Sequence, residues 1–458
     1  MFGTVTLPIW LLVLILAFAA VTFASHFLFP SVRWFFRRRM ERVVAKLNQR
    51  LERPIEPFKL LRRQDTIQRL VYDPKVMEAV SEYAARSGVR EDVAFEKARG
   101  YAREIVPSFS ATAYFGFAIR LMRFLSRAFY EVRLSYLDEQ AISKIDPNAT
   151  VVFIMNHRSN MDYILVPYLV GERSALSFAA GEWARVWPLS ALVRALGAYF
   201  IRRRSLNDFY RKIMGRYVQM VTANGVTQAV FPEGGLSLDG RVGAPKLGIM
   251  SYLVSEFEHH QTRDIVFVPV ALNYDRVLED RVLVAAADKD ERKFRLQWRY
   301  VLRHVVKHLW QRMTGRFLGY GYAAVTFGLP ISLAAFSKTT DDNLTEAIAN
   351  EVMSRIRGQV PALPVPLLSR CLLQAKEPIT QEALRQAFAE QVELVKKSGG
   401  MVRLPRDDVE FALRQSTNHL QLRNIISEED GIFTVTPRKR NLLTYYANSI
   451  EHLFSAGA

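Results

Sequence analysis

Length, composition and charge limit what this chain can be. The sequence has 458 residues, enough for two or three domains, and its 50% hydrophobic and 23% charged residues exclude an intrinsically disordered chain. It carries 62 Lys and Arg against 45 Asp and Glu, a formal net charge of +17, which favours an anionic partner such as a nucleic acid or an anionic membrane surface. The single cysteine, Cys371, excludes an internal disulfide framework and a cysteine-based zinc cluster.

An uncharged N-terminal stretch comes first. Residues 7–29 form an apolar run long enough to cross a bilayer, which takes about 20 residues. No basic residue precedes this run, which favours a transmembrane helix over a cleaved signal peptide. Because Arg33, Arg37 and Arg38 follow it directly, the positive-inside rule predicts that the rest of the protein lies on the cytoplasmic side of a membrane, the inner membrane if the chain is bacterial.

Basic and helical segments follow the apolar run. Residues 33–63 hold eleven Lys or Arg among aromatic residues, a composition suited to lipid headgroups. Residues 73–103 predict two helices with a turn near Gly88. Residues 111–134, with three arginines at helical spacing beside an apolar face, predict an interfacial amphipathic helix, although a buried helix fits nearly as well. Residues 292–316 repeat this basic pattern.

The middle of the chain alternates between strands and helices. Strands are predicted at 151–155, 198–201, 228–231, 265–270 and 322–327, with helical stretches between most of them. This alternation predicts an α/β fold with a mostly parallel or mixed sheet flanked by helices. We therefore expect an anchor (1–30), a basic helical region (31–107), a catalytic domain (108–340) and a mostly helical C-terminal domain (341–458) with a short strand at 432–435 and a last helix over 440–454.

The first strand of this core ends beside a histidine. Residues 151–155, VVFIM, predict a buried strand, and His157 follows where it stops. A side chain at that end of a strand faces the crevice where open α/β sheets bind ligands. Its imidazole accepts a proton near pH 7, and Asp162 can orient it, which indicates a general base with its acid. A second such pair, His259 and Asp264, lies in a polar stretch and is interpreted as coincidental.

Three further clusters follow the next strands of the core. Arg202 and Arg203 end one strand, where a guanidinium group can bind a phosphate. Glu233 and Gly234 end another, where the carboxylate can accept a hydrogen bond from a substrate hydroxyl and the glycine allows close approach. Pro269, near the end of a third, is expected to shape the crevice wall. Each cluster alone is more often structural than functional, so their order carries the argument.

In that order, the blocks NHRSNMDY, GAYFIRR, FPEGG and VPV resemble the four motifs of the glycerolipid acyltransferases. The segment PKLG resembles the branch that acylates glycerol-3-phosphate and dihydroxyacetone phosphate in particular. Upstream, DPKV and ARGYAREI also resemble that branch, as does LLTYYANSIEHLF near the C-terminus. The resemblance covers about residues 70–458 and leaves the N-terminal apolar run outside it.

The resemblance implies transfer of a fatty acyl group from acyl-CoA or acyl-carrier protein to an alcohol, without metal or prosthetic group. His157 would remove the proton of the hydroxyl, and Asp162 would orient His157. The implied substrate contacts are Arg202 and Arg203 with the acceptor phosphate, Glu233 and Gly234 with its hydroxyls, and Pro269 with the acyl donor. Glycerol-3-phosphate is the expected acceptor, and the implied product is lysophosphatidate for phospholipid synthesis, made at a membrane lipid surface.

One departure from the family concerns the acceptor. Where relatives carry arginines after Glu-Gly, as in EGGRSR, this chain has Leu236 and Leu238. Arg241 or Lys246 would then have to supply the positive charge, or the acceptor is a different alcohol. Lysophosphatidate and dihydroxyacetone phosphate remain alternative acceptors, and an inactive membrane scaffold is the alternative outside the enzymes. Nucleic-acid binding is disfavoured, because the positive charge lies beside the apolar run and on amphipathic stretches.

Overall fold

The computed structural model divides the chain into two compact units, residues 1–55 and 56–458. It describes the following residues: 8–171, 174–181, 189–202, 207–260, 263–288, 319–340, 343–375 and 377–455. Arg203 and the basic stretch at 292–316 lie outside this part of the chain, so the predictions made for them are not tested.

The N-terminal unit contains one long helix, α1 (Ile9–Asn48). The helix does not end where the apolar run ends but continues through the basic residues behind it. In the described part of the chain, no helix has the length and apolar character that a membrane crossing needs. The transmembrane helix predicted over residues 7–29 is therefore not confirmed.

Short helices open the larger unit. They are α2 (Pro57–Leu60), α3 (Arg63–Val71), α4 (Pro74–Ser87) and α5 (Glu91–Ile105). The side chain of Asp73 caps α4 by accepting a hydrogen bond from the Lys75 N–H, and Gly88 ends it with a φ of 64° that glycine adopts without strain. The predicted pair of helices with a turn near Gly88 is confirmed.

The predicted amphipathic helix is shorter than expected. A π-helix (Thr112–Ala118) leads into α6 (Ile119–Phe129), and the next residues form strand β1 (Glu131–Leu137). The helix prediction over 130–134 was wrong, because β1 pairs along its length with a distant strand and that pairing outweighs the local helical pattern.

The larger unit is built around one mixed sheet. Its strand order is β1-β7-β6-β2-β5-β3-β4, with β8 paired to β6. All neighbouring pairs are parallel except β6 with β7 and β6 with β8, which confirms the predicted α/β fold with a mixed sheet. The remaining strands are β2 (Thr150–Met155), β3 (Ser177–Ala180), β4 (Tyr199–Phe200), β5 (Gln228–Val230), β6 (Ile265–Tyr274), β7 (Tyr322–Phe327) and β8 (Ile331–Ser332).

The central strand β2 shows that both faces of the sheet are covered. Val151, Phe153 and Met155 point into one hydrophobic core, whereas Val152 and Ile154 point into a second. Successive side chains of a strand alternate between faces, so a continuous apolar run fits only a strand buried on both sides. The helices that cover or connect the strands are α7 (Glu139–Ser143), α8 (Asp162–Val170), α9 (Leu189–Ala195), α10 (Asp208–Ala223), α11 (Leu247–His260), α12 (Asp280–Asp288), α13 (Leu333–Phe336) and α14 (Leu344–Gly358).

Strand β6 is longer than predicted. It was expected to stop near Pro269, but it continues to Tyr274. Proline lacks an N–H, yet its carbonyl accepts a hydrogen bond from Gly328 at 2.8 Å, and the next residues pair with β7. Pro269 thus lies in the middle of a buried strand, opposite Ile154 of β2, and the prediction that it ends the strand was wrong.

The C-terminal region is mostly helical and lies in the same unit as the sheet. Its strands β9 (Ile379–Thr380), β10 (Ile426–Glu429) and β11 (Ile432–Val435) form a small antiparallel sheet, so the strand predicted at 432–435 is confirmed. The predicted last helix is divided in two. The helices are α15 (Pro364–Gln374), α16 (Gln381–Lys397), α17 (Val409–Leu422), α18 (Arg440–Ala447) and α19 (His452–Ser455).

Candidate active site

The chain leaves strand β2 through Asn156, whose side chain extends the strand pairing by one residue. The Asn156 amide donates to the Leu272 carbonyl at 2.9 Å and accepts from the Leu272 N–H at 2.8 Å. These two bonds replace the backbone pair that the next rung of the ladder would make. His157 is therefore held at a defined height above the carboxyl end of the sheet.

His157 and Asp162 form a buried hydrogen-bonded pair. The Nδ1 atom of His157 lies 2.9 Å from Asp162 Oδ2, and both side chains are buried. The same oxygen accepts the backbone N–H groups of Arg158 at 2.8 Å and Ser159 at 3.0 Å. Because an ionised carboxylate can only accept, the proton is assigned to Nδ1 of the neutral ring, and Nε2 carries the lone pair that acts as a base.

Tyr274 supports this pair from the end of β6. Its hydroxyl donates to the second carboxylate oxygen, Asp162 Oδ1, at 2.5 Å. Burial raises the pKa of the Tyr274 phenol well above its ordinary value, so it stays a donor. Sequence reasoning missed this residue because it placed the end of β6 four residues too early. Continued alternation after Pro269 was the only local signal.

Aromatic side chains enclose the imidazole of His157. The ring of Phe231 stacks on it with centroids 4.1 Å apart, and the ring of Tyr163 meets it edge-on at 5.3 Å. Tyr163 and Phe231 also contact each other. The imidazole therefore has one orientation, set by packing as well as by its bond to Asp162.

Glu233 binds the backbone around the histidine. Its Oε1 atom accepts the His157 N–H at 2.9 Å, and its Oε2 atom accepts the Gly243 N–H at 3.0 Å. Burial raises the pKa of Glu233 above its ordinary value, while these two bonds oppose that rise. The structure thus gives this carboxylate a positioning role that the sequence did not predict, alongside the predicted contact with a substrate hydroxyl.

The loop after Glu233 closes on the same histidine. The Ser237 N–H donates to the His157 carbonyl at 3.0 Å, and the Lys246 N–H donates to the Pro232 carbonyl at 2.8 Å. Gly234 has a φ of 69°, and a Cβ atom there would lie 2.9 Å from Cδ of Lys246. The structure therefore brings Gly234 and Lys246 together beside the His157 loop, as expected for residues of one site.

Glu279 holds the loop between His157 and Asp162. One of its oxygens accepts the Ser159 hydroxyl at 2.8 Å, and the other accepts the Asn160 side-chain amide at 3.0 Å. Burial raises the pKa of this carboxyl group above its ordinary value. Sequence reasoning missed Glu279 because it lies 120 positions from Ser159 and belongs to no recognised motif.

The C-terminal segment contributes to the same region. The guanidinium group of Arg158, which is fully buried, donates to the Gly240 carbonyl and lies 4.9 Å from the centre of the Tyr445 ring. The neighbouring Tyr446 hydroxyl donates to Asp280 and accepts from the Val277 N–H. The segment LLTYYANSIEHLF therefore packs directly under the loop that carries His157.

The arginine predicted to hold a phosphate is paired elsewhere. Arg202 makes a bidentate pair with Glu104, at 2.8 Å and 2.7 Å, and its guanidinium group lies over the rings of Tyr101 and Tyr210. This pairing raises the pKa of Arg202 further. This pair uses the Nε N–H and one Nη2 N–H, so a phosphate would have to bind the remaining N–H groups or displace Glu104, and the predicted role of Arg202 stays a prediction. The acyl-donor role of Pro269 also stays a prediction.

The two leucines that replace the family's arginines have a packing role. Leu236 and Leu238 are half-buried and pack against the core that also contains Phe231. The other candidate for the missing charge, Arg241, is exposed and lies near Asp239. Lys246 is thus the candidate that the structure brings close to Gly234.

Comparisons with known proteins agree with this geometry. An Acyltransferase family model matches residues 137–273, which include strands β2 to β5, most of β6, and the His157 and Asp162 pair. A second model, described as the glycerol-3-phosphate acyltransferase C-terminal region, matches residues 309–458. Both matches support an assignment of the chain to the glycerolipid acyltransferase superfamily.

Relatives over most of the chain narrow the family further. Glycerol-3-phosphate acyltransferases from Alteromonas mediterranea and Glaesserella parasuis are 26% and 29% identical, over 91% and 86% of this chain. One from Pseudomonas fluorescens is 28% identical over 87% of this chain. Within the superfamily, these relatives support the glycerol-3-phosphate acyltransferase branch. It spans about half the length of these relatives, 53%, 50% and 49% respectively.

A solved structure was also found among the matches. It is the 1-acyl-sn-glycerophosphate (LPA) acyltransferase from Thermotoga maritima, with a TM-score of 0.33 and 18% identity over 65% of this chain and 95% of that chain. The fold described above rests on the strands and helices of the present chain alone.

Proposed function

We propose that the chain is a glycerol-3-phosphate 1-O-acyltransferase. It would transfer a fatty acyl group from acyl-CoA or acyl-carrier protein to the sn-1 hydroxyl of glycerol-3-phosphate and release lysophosphatidate. The observation that carries the proposal is the buried His157 and Asp162 pair at the end of β2, with Nδ1 bonded to the carboxylate. The relatives named glycerol-3-phosphate acyltransferase support the choice of acceptor.

The proposed reaction is a direct transfer. Nε2 of His157 removes the proton of the acceptor hydroxyl as its oxygen attacks the thioester carbonyl. The carbon–sulfur bond then breaks, and the departing thiolate takes the proton back from the imidazolium. Asp162 stabilises the imidazolium through Nδ1, and Tyr274 and the loop N–H groups keep Asp162 in place. No acyl-enzyme is formed, and every proton is returned.

Lys246 is our proposed positive charge for the acceptor phosphate. Its side chain lies against Gly234, in the loop that binds both backbone groups of His157. Arg203 is a second proposed ligand from the sequence. The cytoplasmic-side location at a membrane and the division into catalytic and C-terminal domains are further proposals that rest on the sequence.

The test measures acyl transfer by the purified full chain. Long-chain acyl-CoA or acyl-carrier protein is supplied with glycerol-3-phosphate, dihydroxyacetone phosphate or lysophosphatidate in parallel. We expect product with glycerol-3-phosphate and a loss of kcat of about 10²- to 10⁴-fold in His157→Ala, the usual contribution of a general base. The matched control is His259→Ala, which alters the second His-x4-Asp sequence and should keep full activity.

Each other outcome has a defined meaning. Preference for lysophosphatidate would change the acceptor and keep the chemistry. Full activity in His157→Ala would refute the base. Absence of product with every acceptor and donor, from protein with a native circular dichroism spectrum, would favour the scaffold alternative.

A further inference from the structure

The outer face of α6 and of the π-helix before it carries aromatic and basic side chains in alternation. Phe117, Arg120, Phe124 and Arg127 follow one another at intervals of three, four and three residues, which places them on one side of a helix. Phe117 is 58% exposed and Phe124 is 54% exposed, and both arginines are exposed as well. Large apolar side chains that are exposed to solvent and adjacent to one another indicate an interaction surface.

A hollow lies within this row. Its volume is about 290 Å³, and its lining residues are Arg120, Arg123, Phe124, Arg127 and Ala128. The row and the hollow together are called the α6 face below. Three of the five lining side chains are arginines, so the hollow suits a small anionic group.

Tyr168 on helix α8 supports two of these arginines. The guanidinium groups of Arg123 and Arg127 lie 5.7 Å and 5.8 Å from the centre of its ring. The Nε atom of Arg127 also donates to the Tyr168 hydroxyl at 3.2 Å. The cations are therefore partly ordered before a ligand arrives, which lowers the entropy cost of binding.

The sequence around the α6 face is free of acidic residues. Residues 105–130 contain three arginines and neither Asp nor Glu. This local excess of positive charge favours an anionic partner. The exposed phenylalanines indicate that this partner also presents an apolar surface. Each phenylalanine lies about one helical turn from an arginine.

We propose that the α6 face docks on an anionic phospholipid surface, with a lipid phosphate in the hollow and with Phe117 and Phe124 among the upper acyl chains. A bilayer interface presents phosphates and hydrocarbon within a few ångströms of depth, and a helix with arginines and aromatics on one face lies along it. An acidic protein would also match the arginines. The lipid fits better because it offers hydrocarbon to the exposed phenylalanines as well as phosphate to the arginines.

The position of α6 gives this docking a consequence. Helix α6 packs closely on α8, and a Cβ atom at Gly171 would come within 2.3 Å of the Ile119 side chain. Helix α8 begins at Asp162. The docked face is therefore one helix away from the residue that orients His157, although the docking itself does not depend on the proposed reaction.

The test places a reporter on the α6 face of the full chain. Phe124→Cys is labelled with an environment-sensitive fluorophore and mixed with vesicles of phosphatidylglycerol and phosphatidylcholine in equal parts. The native Cys371 does not compete, because it is buried and burial raises the pKa of its thiol to about 12. Leu422→Cys, on an exposed position of α17, is the matched control.

We expect the label at position 124 to shift to the blue and to be quenched by brominated lipid, whereas the label at 422 stays accessible to iodide in the water. Adding Arg120→Gln should reduce the ratio of lipid-buried to water-exposed label about fivefold, the effect of one charge near an anionic surface. Arg414→Gln, also on α17, should leave that ratio unchanged.

Two outcomes would overturn the proposal. One is a label at 124 that remains accessible to iodide on vesicles with which the protein sediments. The other is a label that responds to an acidic acyl-carrier protein without lipid and not to vesicles, which would assign the α6 face to a protein partner. Neither outcome bears on acyl transfer, so the proposed function is tested separately.

Discussion

The loop from Asn156 to Asp162 and the segment that ends in Arg202 were both predicted to be functional, yet they are built differently. The loop is held by hydrogen bonds from three directions, through Glu233, Tyr274 and Glu279, and these bonds leave His157 and Asp162 in a geometry that suits catalysis. Arg202 is also well held, but the Nε and Nη2 edge of its guanidinium group is already bonded to the carboxylate of Glu104. A well-held side chain is therefore not evidence of a functional role by itself. What matters is which group its hydrogen bonds engage.

From this contrast we expect that removal of Arg202 lowers the stability of the protein and has little effect on acceptor binding. Arg202→Gln leaves the buried Glu104 without its bidentate partner, and we expect the free energy of unfolding to fall by about 2 kcal/mol, less than for a fully buried pair because Arg202 is partly exposed. Denaturant titration measures this loss. The KM for the acceptor should stay the same in the folded variant.

Two variants sharpen this prediction. Arg241→Gln removes an exposed arginine 3.9 Å from Asp239 and should change stability by less than about 0.5 kcal/mol. Lys246→Gln should instead raise the KM for glycerol-3-phosphate. If Arg202→Gln raised that KM as much as Lys246→Gln does, the phosphate role of Arg202 would be restored and the contrast would fail.

Within the loop, Tyr274 should matter for the rate. Tyr274→Phe removes the hydrogen bond to Asp162 Oδ1 and keeps the ring, and we expect kcat to fall about tenfold, in line with one lost hydrogen bond to a charged group. The acceptor KM should change little. The matched control is Tyr130→Phe, which loses a hydrogen bond to the Arg276 carbonyl and not to Asp162. Equal losses of kcat in the two variants would contradict a positioning role.

The smallest effect concerns Glu279 and pH. Its pKa is raised by burial, so a proton binds it more tightly in the folded than in the unfolded chain. The resulting stability is complete below the ordinary glutamate pKa and is lost as pH rises through the raised value. Glu279→Gln, which can still bond Ser159 and Asn160, should therefore gain stability relative to the wild type over the pH range that begins near the ordinary glutamate pKa of about 4.3 and extends upward.

Denaturant midpoints measured across that pH range test the prediction. The control Glu393→Gln, at an exposed position, should run parallel to the wild type at every pH. A constant difference between Glu279→Gln and the wild type would show that the carboxyl group carries no buried charge.

The strands that were predicted best are those that carry apolar side chains on both faces, because this pattern is visible in the sequence itself. Residues 151–155 are a continuous apolar run, residues 322–327 are apolar except for Thr326, and both strands lie where expected. Strand β1 was missed because EVRLSYL follows a helical pattern without a break and its neighbour is β7, almost 200 residues away. The end of β6 was missed because a proline normally interrupts a ladder, whereas here the pairing to β7 continues past it.

The residues of the site also fall into those that the sequence predicted and those that it did not. His157 and Asp162 are five residues apart, so a strand followed by a helix start brings them together. Tyr274 lies 112 positions from Asp162, and Arg202 lies 98 positions from Glu104. Such pairs depend on how the whole sheet and its covering helices assemble, and a single sequence contains no local trace of that assembly.

The loop that follows β5 binds both backbone groups of His157, the N–H through Glu233 and the carbonyl through Ser237. For protein engineering, this means that residues 156–162 and 232–246 must be exchanged together. A chimera that took only the second segment from a relative, to change the acceptor it accepts, would also replace the groups that hold the histidine. A chimera that exchanges both segments keeps the hydrogen bonds that position His157.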